Sequence, residues 1–124
     1  MIIAGFGFSS RATRASLAEA FAALRGRPDK LVTLKARAQS DLFQAFAKAQ
    51  NITVLGLDES EISGVETPSQ SPRIQARFNT GSVAEAAALV AARGTGATTA
   101  RLIQTRYVTT DGLATVALAE MIER

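Results

Sequence analysis

Neither cysteine nor histidine occurs in the 124 residues. The first absence excludes a disulfide framework and a thiol nucleophile. The second removes the commonest metal ligand and the commonest general base. No apolar run approaches the length of a membrane-spanning helix. The opening Met1-Ile2-Ile3-Ala4-Gly5 lacks a basic n-region and a small-residue cleavage site, so it reads as a first strand and not as a signal peptide. A cytoplasmic setting without a membrane partner is the expectation. A single tyrosine stands among the basic residues and no nucleic-acid-binding motif occurs, so nucleic acid is not an expected partner either. With no linker and no repeat, one domain over residues 1–124 with one core is expected.

What is present is a hydrophobic fraction of 47%, ordinary for a packed domain, and a formal charge of +3. Lysine is scarce: of the fourteen basic residues only Lys30, Lys35 and Lys48 are lysines, and eleven are arginines. Arginine grips planar carboxylates and phosphates through paired hydrogen bonds, where lysine acts as a point charge. A GC-rich genome would also favour arginine and the alanine-rich helices, so the composition by itself supports either reading.

Along the chain, residues 2–6 form an apolar strand that runs into Gly5-Phe6-Gly7, a tight turn in this reading. A helix follows from the Ser9-Ser10-Arg11-Ala12-Thr13 segment to about Leu24, with Leu17, Phe21 and Leu24 on one face. Residues 31–34 make a second strand. Ser40 caps a helix that buries Leu42, Phe43, Phe46 and Ala49 and ends at Asn51, and residues 52–56 make a third strand. Asp58-Glu59-Ser60-Glu61-Ile62 is a helical turn, and residues 63–72 form one long loop, a length that favours function. Ser82 caps a helix to Arg93, stopped by Gly94 and Gly96. Thr99–Val108 and Leu113–Leu118 pair as an antiparallel hairpin about Thr110-Asp111-Gly112. The predicted fold is a three-layer α/β/α sandwich, its mixed and mostly parallel sheet closed by this C-terminal hairpin. The apolar closing strand is either central in that sheet or paired across a dimer, which leaves monomer and homodimer both open.

The glycine turn before Ser9 and Ser10 resembles a phosphate cradle. Yet it lacks the third glycine and the acidic residue of a dinucleotide fingerprint, and the Gly-Lys-Ser/Thr of a Walker loop. What survives is a turn that aims a helix N-terminus at an anion. Ser9, Ser10, Thr13, Ser40 and Ser82 read first as N-caps. In an open α/β sheet such helix starts gather along the carboxyl edge of the strands, where ligands bind. Gly5, Gly7, Ser9, Ser10, Arg11, Thr13, Lys35, Arg37 and Thr80-Gly81-Ser82 are therefore the candidate binding residues, forming a pocket for several carboxylates. Arg73 joins them if it and Arg77 close over the ligand from either side; otherwise the two are a solvated pair. Arg101 and Arg106 read as outward strand residues. Asp58, Glu59 and Glu61 are the one acidic cluster, read as an exposed turn in preference to an acid/base pair. No cofactor or metal is called for.

Four ordered blocks resemble the cobalamin-biosynthesis proteins CobE and the C-terminal domain of CbiG. They are Gly5-Phe6-Gly7-Phe8-Ser9-Ser10-Arg11-Ala12-Thr13; Thr33-Leu34-Lys35-Ala36; Thr67-Pro68-Ser69-Gln70-Ser71-Pro72 with Thr80-Gly81-Ser82-Val83-Ala84-Glu85-Ala86-Ala87; and Ala114-Thr115-Val116-Ala117-Leu118-Ala119. The resemblance implies a role in the cobalamin pathway, as an accessory binder or carrier of a corrinoid intermediate of the hydrogenobyrinic-acid type. It implies two alternatives. One is a hydrolase opening a precorrin-5A-type lactone with acetaldehyde release, with Lys35, Ser10 and Ser82 as the candidates to polarise the ester or place water. The other is a module docking on other pathway enzymes. Full-length CbiG carries a further N-terminal domain for which these residues leave no room, and Phe8 and Ser10 stand where relatives often have Cys and a second basic residue. Phe6 or Phe8 would supply an apolar floor for the corrin ring.

Overall fold

A computed structural model of the chain describes residues 1–94 and 99–122. In order the elements are β1 (Ile2–Phe8), α1 (Arg14–Ala22), β2 (Lys30–Leu34), α2 (Lys35–Ala38), α3 (Asp41–Gln50) and β3 (Thr53–Leu57). Then come α4 (Glu59–Ile62), α5 (Pro72–Phe78), α6 (Val83–Arg93), β4 (Thr99–Val108) and β5 (Ala114–Ile122). Local chemistry sets the helix ends. Thr13, Ser40, Ser71 and Ser82 each accept a hydrogen bond from a backbone N–H of the first turn. Asn51 ends α3 in the left-handed region at φ 57°, and Gly94 ends α6 at φ 61°. The stop expected at Gly96 lies outside the described residues.

The strands assemble in the order β3-β2-β1-β5-β4. β1 pairs with β2, and β2 with β3, in parallel; β5 runs antiparallel to both β1 and β4. Four strands therefore point one way and only β5 opposes them, which is the mixed sheet expected. β5 is central, the first of the two placements the sequence left open.

Strand alternation sorts the core into two layers. Ala4 and Phe6 of β1, Leu31, Val116 and Leu118 face α1 and α3, where Leu17, Phe43, Phe46 and Ala47 cover them. Phe6 meets Phe43 and Phe46 edge to face, with ring centroids 5.4 and 6.3 Å apart. Ile3, Val32 and Ala119 face the other way, onto Ala87, Ala88 and Leu89 of α6. That helix crosses β1, β2, β4 and β5, so the chain leaves β3 at one edge and reaches β4 at the other over this face. Among the described residues no helix is long and apolar enough to cross a membrane.

Two sequence expectations change. Gly5-Phe6-Gly7 is not a turn: β1 continues through it to Phe8. The reason for Gly5 is close approach. A Cβ there would overlap the Ala84 carbonyl and lie 2.7 Å from the Ala88 nitrogen, so a bare strand and an alanine-rich helix are two halves of one contact. The stretch from 72 to 78, the end of the expected loop and the segment after it, is helical, because Ser71 caps it and Pro72 occupies its first turn.

The β4–β5 turn is fastened to α1. Glu19 accepts from the Tyr107 hydroxyl (2.6 Å) and from the Thr110 amide and hydroxyl (2.9 Å each). Asp111 accepts from the Ser16 hydroxyl (2.5 Å), the Thr109 hydroxyl (2.6 Å) and the Leu113 amide (2.9 Å). These donors hold both carboxyls below their ordinary values of 4.5 and 3.8, with Tyr107 the main cause at Glu19 and Ser16 at Asp111.

Replacing Gly5→Ala should destabilise the fold by ~1–3 kcal/mol through overpacking against α6, read from the urea denaturation midpoint. Because Glu19 and Asp111 lose protons more readily folded than unfolded, their contribution is complete above the ordinary carboxylate values and disappears as pH falls through the lowered ones. The thermal midpoint should thus drop between about pH 5 and about pH 2, and Glu19→Gln should flatten that drop; an unchanged slope would show the hairpin anchor contributes nothing.

Candidate functional site

All four codirectional strands deliver their carboxyl ends to one rim of the sheet, and there the described residues enclose a cleft of about 640 Å³. Gly7, Phe8 and Ser9 come from β1 and the turn after it, Thr33 and Leu34 from β2, and Arg37 from α2. Ser71, Arg73, Ile74, Arg77 and Phe78 line it from α5 and its cap, Ser82 and Val83 from the start of α6. Arg106, Val108, the turn residues Gly112 and Leu113, and Ala114 and Thr115 at the start of β5 close the far side. Four arginines therefore line one cavity, and no lining residue is acidic.

The cleft walls are held by hydrogen bonds within the chain. The Thr33 hydroxyl donates to the Phe6 carbonyl (2.8 Å) and the Thr115 hydroxyl to the Gly7 carbonyl (3.1 Å). Phe8 stacks on Phe43 at 5.2 Å and carries the Arg37 guanidinium 5.8 Å above its ring. Phe8 is among the lining residues, whereas Phe6 is fully buried and is not.

Glu85 sets the geometry of the opposite wall. It is wholly buried in α6, yet its carboxylate accepts from the Ser69 amide (2.9 Å), the Ser69 hydroxyl (2.8 Å) and the Arg106 amide (2.8 Å). The last is available because β4 slips register between Gln104 and Tyr107, which leaves the Arg106 N–H out of the ladder. One carboxylate thus fixes both the loop leading to α5 and the strand that presents Arg106.

Among the described residues Arg37, Arg73 and Arg106 have no carboxylate partner. Arg77 alone is paired: its Nη1 and Nη2 donate to Glu59 Oε1 (2.8 Å) and Oε2 (3.2 Å), and its guanidinium lies 4.6 Å from the Phe78 ring centre. Those Glu59 hydrogen bonds raise the Arg77 guanidinium above its ordinary value.

Of the candidate binding residues, Gly7, Ser9, Arg37, Arg73 and Ser82 line the cleft, as do Phe8 and Arg77, and the other candidates do not. Gly5 lies beneath α6. Thr13 caps α1 and exchanges hydrogen bonds with Ser16. Ser10 and Arg11 are exposed. Lys35 turns outward to Asp58, 3.1 Å away. The Thr80 hydroxyl donates to the Val65 carbonyl (2.6 Å), and a Cβ on Gly81 would lie 2.6 Å from Thr67 Oγ1, so both shape the loop. The acidic cluster divides into roles: Asp58 pairs with Lys35, Glu59 holds Arg77, and Glu61 accepts from the Asp58 amide.

Thr33, Ser71, Phe78 and Thr115 were not singled out, and Arg106 was read as an outward strand residue. Ser71-Pro72 carried the usable signal. A cap followed by proline starts a helix, and a helix there puts Arg73 and Arg77 one turn apart on one side.

Residues 2–119 match the family model described as Cobalamin synthesis G C-terminus. The chain belongs to that family. Two solved structures from cobalamin biosynthesis share its fold. CobE, a protein from the cobalamin (vitamin B12) biosynthetic pathway, superimposes with a TM-score of 0.80 at 25% identity, covering 100% of this chain and 93% of its own. The cobalamin biosynthesis protein chiG of Agrobacterium tumefaciens gives 0.69 at 28% identity over 97% and 98%. No curated protein sequence matches. As a member of the Cobalamin synthesis G C-terminus family, the chain is a cobalamin-biosynthesis protein.

Removing the Glu85 carboxylate strands three donors in a dry site, at roughly 1–3 kcal/mol each. Glu85→Ala should therefore lower unfolding free energy by about 3 kcal/mol or more in urea titration. Glu85→Gln, which keeps one acceptor oxygen, should cost less; equal losses would place the effect in packing alone.

Proposed function

We propose that this protein binds a polycarboxylate precorrin or corrinoid intermediate of the aerobic cobalamin pathway, as an accessory protein that holds the pigment without breaking a bond in it. The observation that carries the reading is the cleft's charge: Arg37, Arg73, Arg77 and Arg106 line it and no acid does. Like charges gathered at one rim repel one another, so the arrangement costs stability unless an anion settles among them. A macrocycle edged with acetate and propionate arms supplies several carboxylates at once, each suited to a guanidinium fork. Its apolar ring fits against Phe8, Val108 and Leu113, and the volume falls within the range of small-molecule sites. The start of α6 adds the positive end of an eleven-residue helix to the same cavity.

Binding is favoured over hydrolysis by the placement of the candidate groups. Lys35 is paired with Asp58 outside the cleft, Ser10 is exposed beyond it, and the Ser82 hydroxyl accepts from the Glu85 amide as a cap. The lining residues contain no carboxylate or imidazole to take a proton from water.

Titration with hydrogenobyrinic acid should shift the pigment's absorbance and raise the protein's thermal midpoint. Arg73→Ala and Arg106→Ala should each weaken binding about ten-fold, the loss of one charge-assisted contact. Added salt should weaken it further, because the cleft is open to solvent. Pigment spectrum and midpoint both unmoved at saturating ligand would end the proposal.

A further inference from the structure

Among the four guanidiniums of the cleft, one already holds a carboxylate. Arg77 presents its Nη1 and Nη2 to both oxygens of Glu59, the paired fork geometry with which arginine takes a free carboxylate. Glu59 belongs to the four-residue α4, not to the cavity lining, and reaches Arg77 on α5 from outside. Both side chains are more than half exposed, 60% for Arg77 and 53% for Glu59. A pair in that setting is weak, so another carboxylate can displace it. Arg37, Arg73 and Arg106 have no such partner among the described residues, so Glu59 singles out one binding group from four.

We infer that Glu59 is a built-in competitor: it occupies Arg77 in the empty cleft and yields it to a carboxylate arm of the bound ligand. This rests on the polycarboxylate reading of the cleft and adds a control to it. A ligand with one fewer carboxylate leaves Arg77 on Glu59, while a fully armed one draws it into the cleft at the cost of the Glu59 pair. Glu59 therefore limits affinity and sharpens the preference for the more highly charged pigment. It is a specificity-determining residue that need never touch the ligand.

The experiment is a double-mutant cycle on hydrogenobyrinic acid binding, with the wild-type chain, E59Q, R77Q and the double variant. Relief of competition with an exposed pair predicts that E59Q tightens binding about two- to five-fold. R77Q should weaken it, and E59Q should give no gain in the R77Q background. Thermal midpoints of the unliganded variants confirm that each is folded. Equal tightening in both backgrounds would reduce the effect to the loss of one negative charge, and no tightening would remove the competitor; either overturns the inference while leaving the binding reading intact. Failure of the wild-type chain and all variants to bind pigment would overturn both.

Discussion

A buried carboxylate that must be satisfied governs the shape of the cleft rim. Glu85 is the sole charged group buried in the described core, and leaving such a charge unpaired there would cost several kcal/mol. Its position answers that cost three times over. It stands in the first turn of α6, where the helix dipole favours negative charge. It receives two donors from Ser69 and one from the Arg106 backbone. None of those donors is free to move without exposing an unpaired partner. The segment before α5 and the bulged end of β4, distant in sequence, are thereby set against a single point. Two of the four cleft arginines follow from it: Arg73 by way of the loop and Arg106 directly.

The arginines themselves obey the opposite logic. Where Glu85 is saturated with partners, Arg37, Arg73 and Arg106 are left without carboxylates among the described residues. Scaffold and site thus divide the electrostatics: full satisfaction beneath the rim, an unsatisfied positive field on it. Rigid support under unpaired charge is the arrangement the proposed anion site would need, since little would have to reorganise on binding.

Much of the fold was legible from residue order. Helix caps at Thr13, Ser40 and Ser82, the stop at Asn51 and the closing hairpin all follow from local chemistry, and the structure places them where such chemistry acts. The carboxyl-edge location of the rim follows from strand–helix alternation. The rest depends on long-range contacts. Gly5 looked like a turn because glycine permits turns, but its neighbour Ala84 is 79 positions away in the chain and on another layer. Lys35 directly follows β2 at the rim, yet as the first residue of α2 it turns toward Asp58. Arg106 enters the cleft only because of a register slip in β4, which no periodicity of the strand announces. Glu85 did leave a trace. An acid set within Val83-Ala84-Glu85-Ala86-Ala87-Ala88 has no polar face to share, and so asks for buried donors.

The central seat of β5 has a consequence for how the molecule comes into being. β1 pairs with it along its full length, Ile2 opposite Glu120 through Phe8 opposite Ala114. Of these five strands, β1 therefore waits for the latest made, β5, before its second edge is closed. Until then an apolar strand edge lies bare beside a half-built helical layer, and nascent chains crowded on one message could pair through it. Contacts this remote in sequence also slow the search for the native state. Completion of the sheet and closure of the cleft are accordingly one event, since β5 begins at the residues that form its far wall.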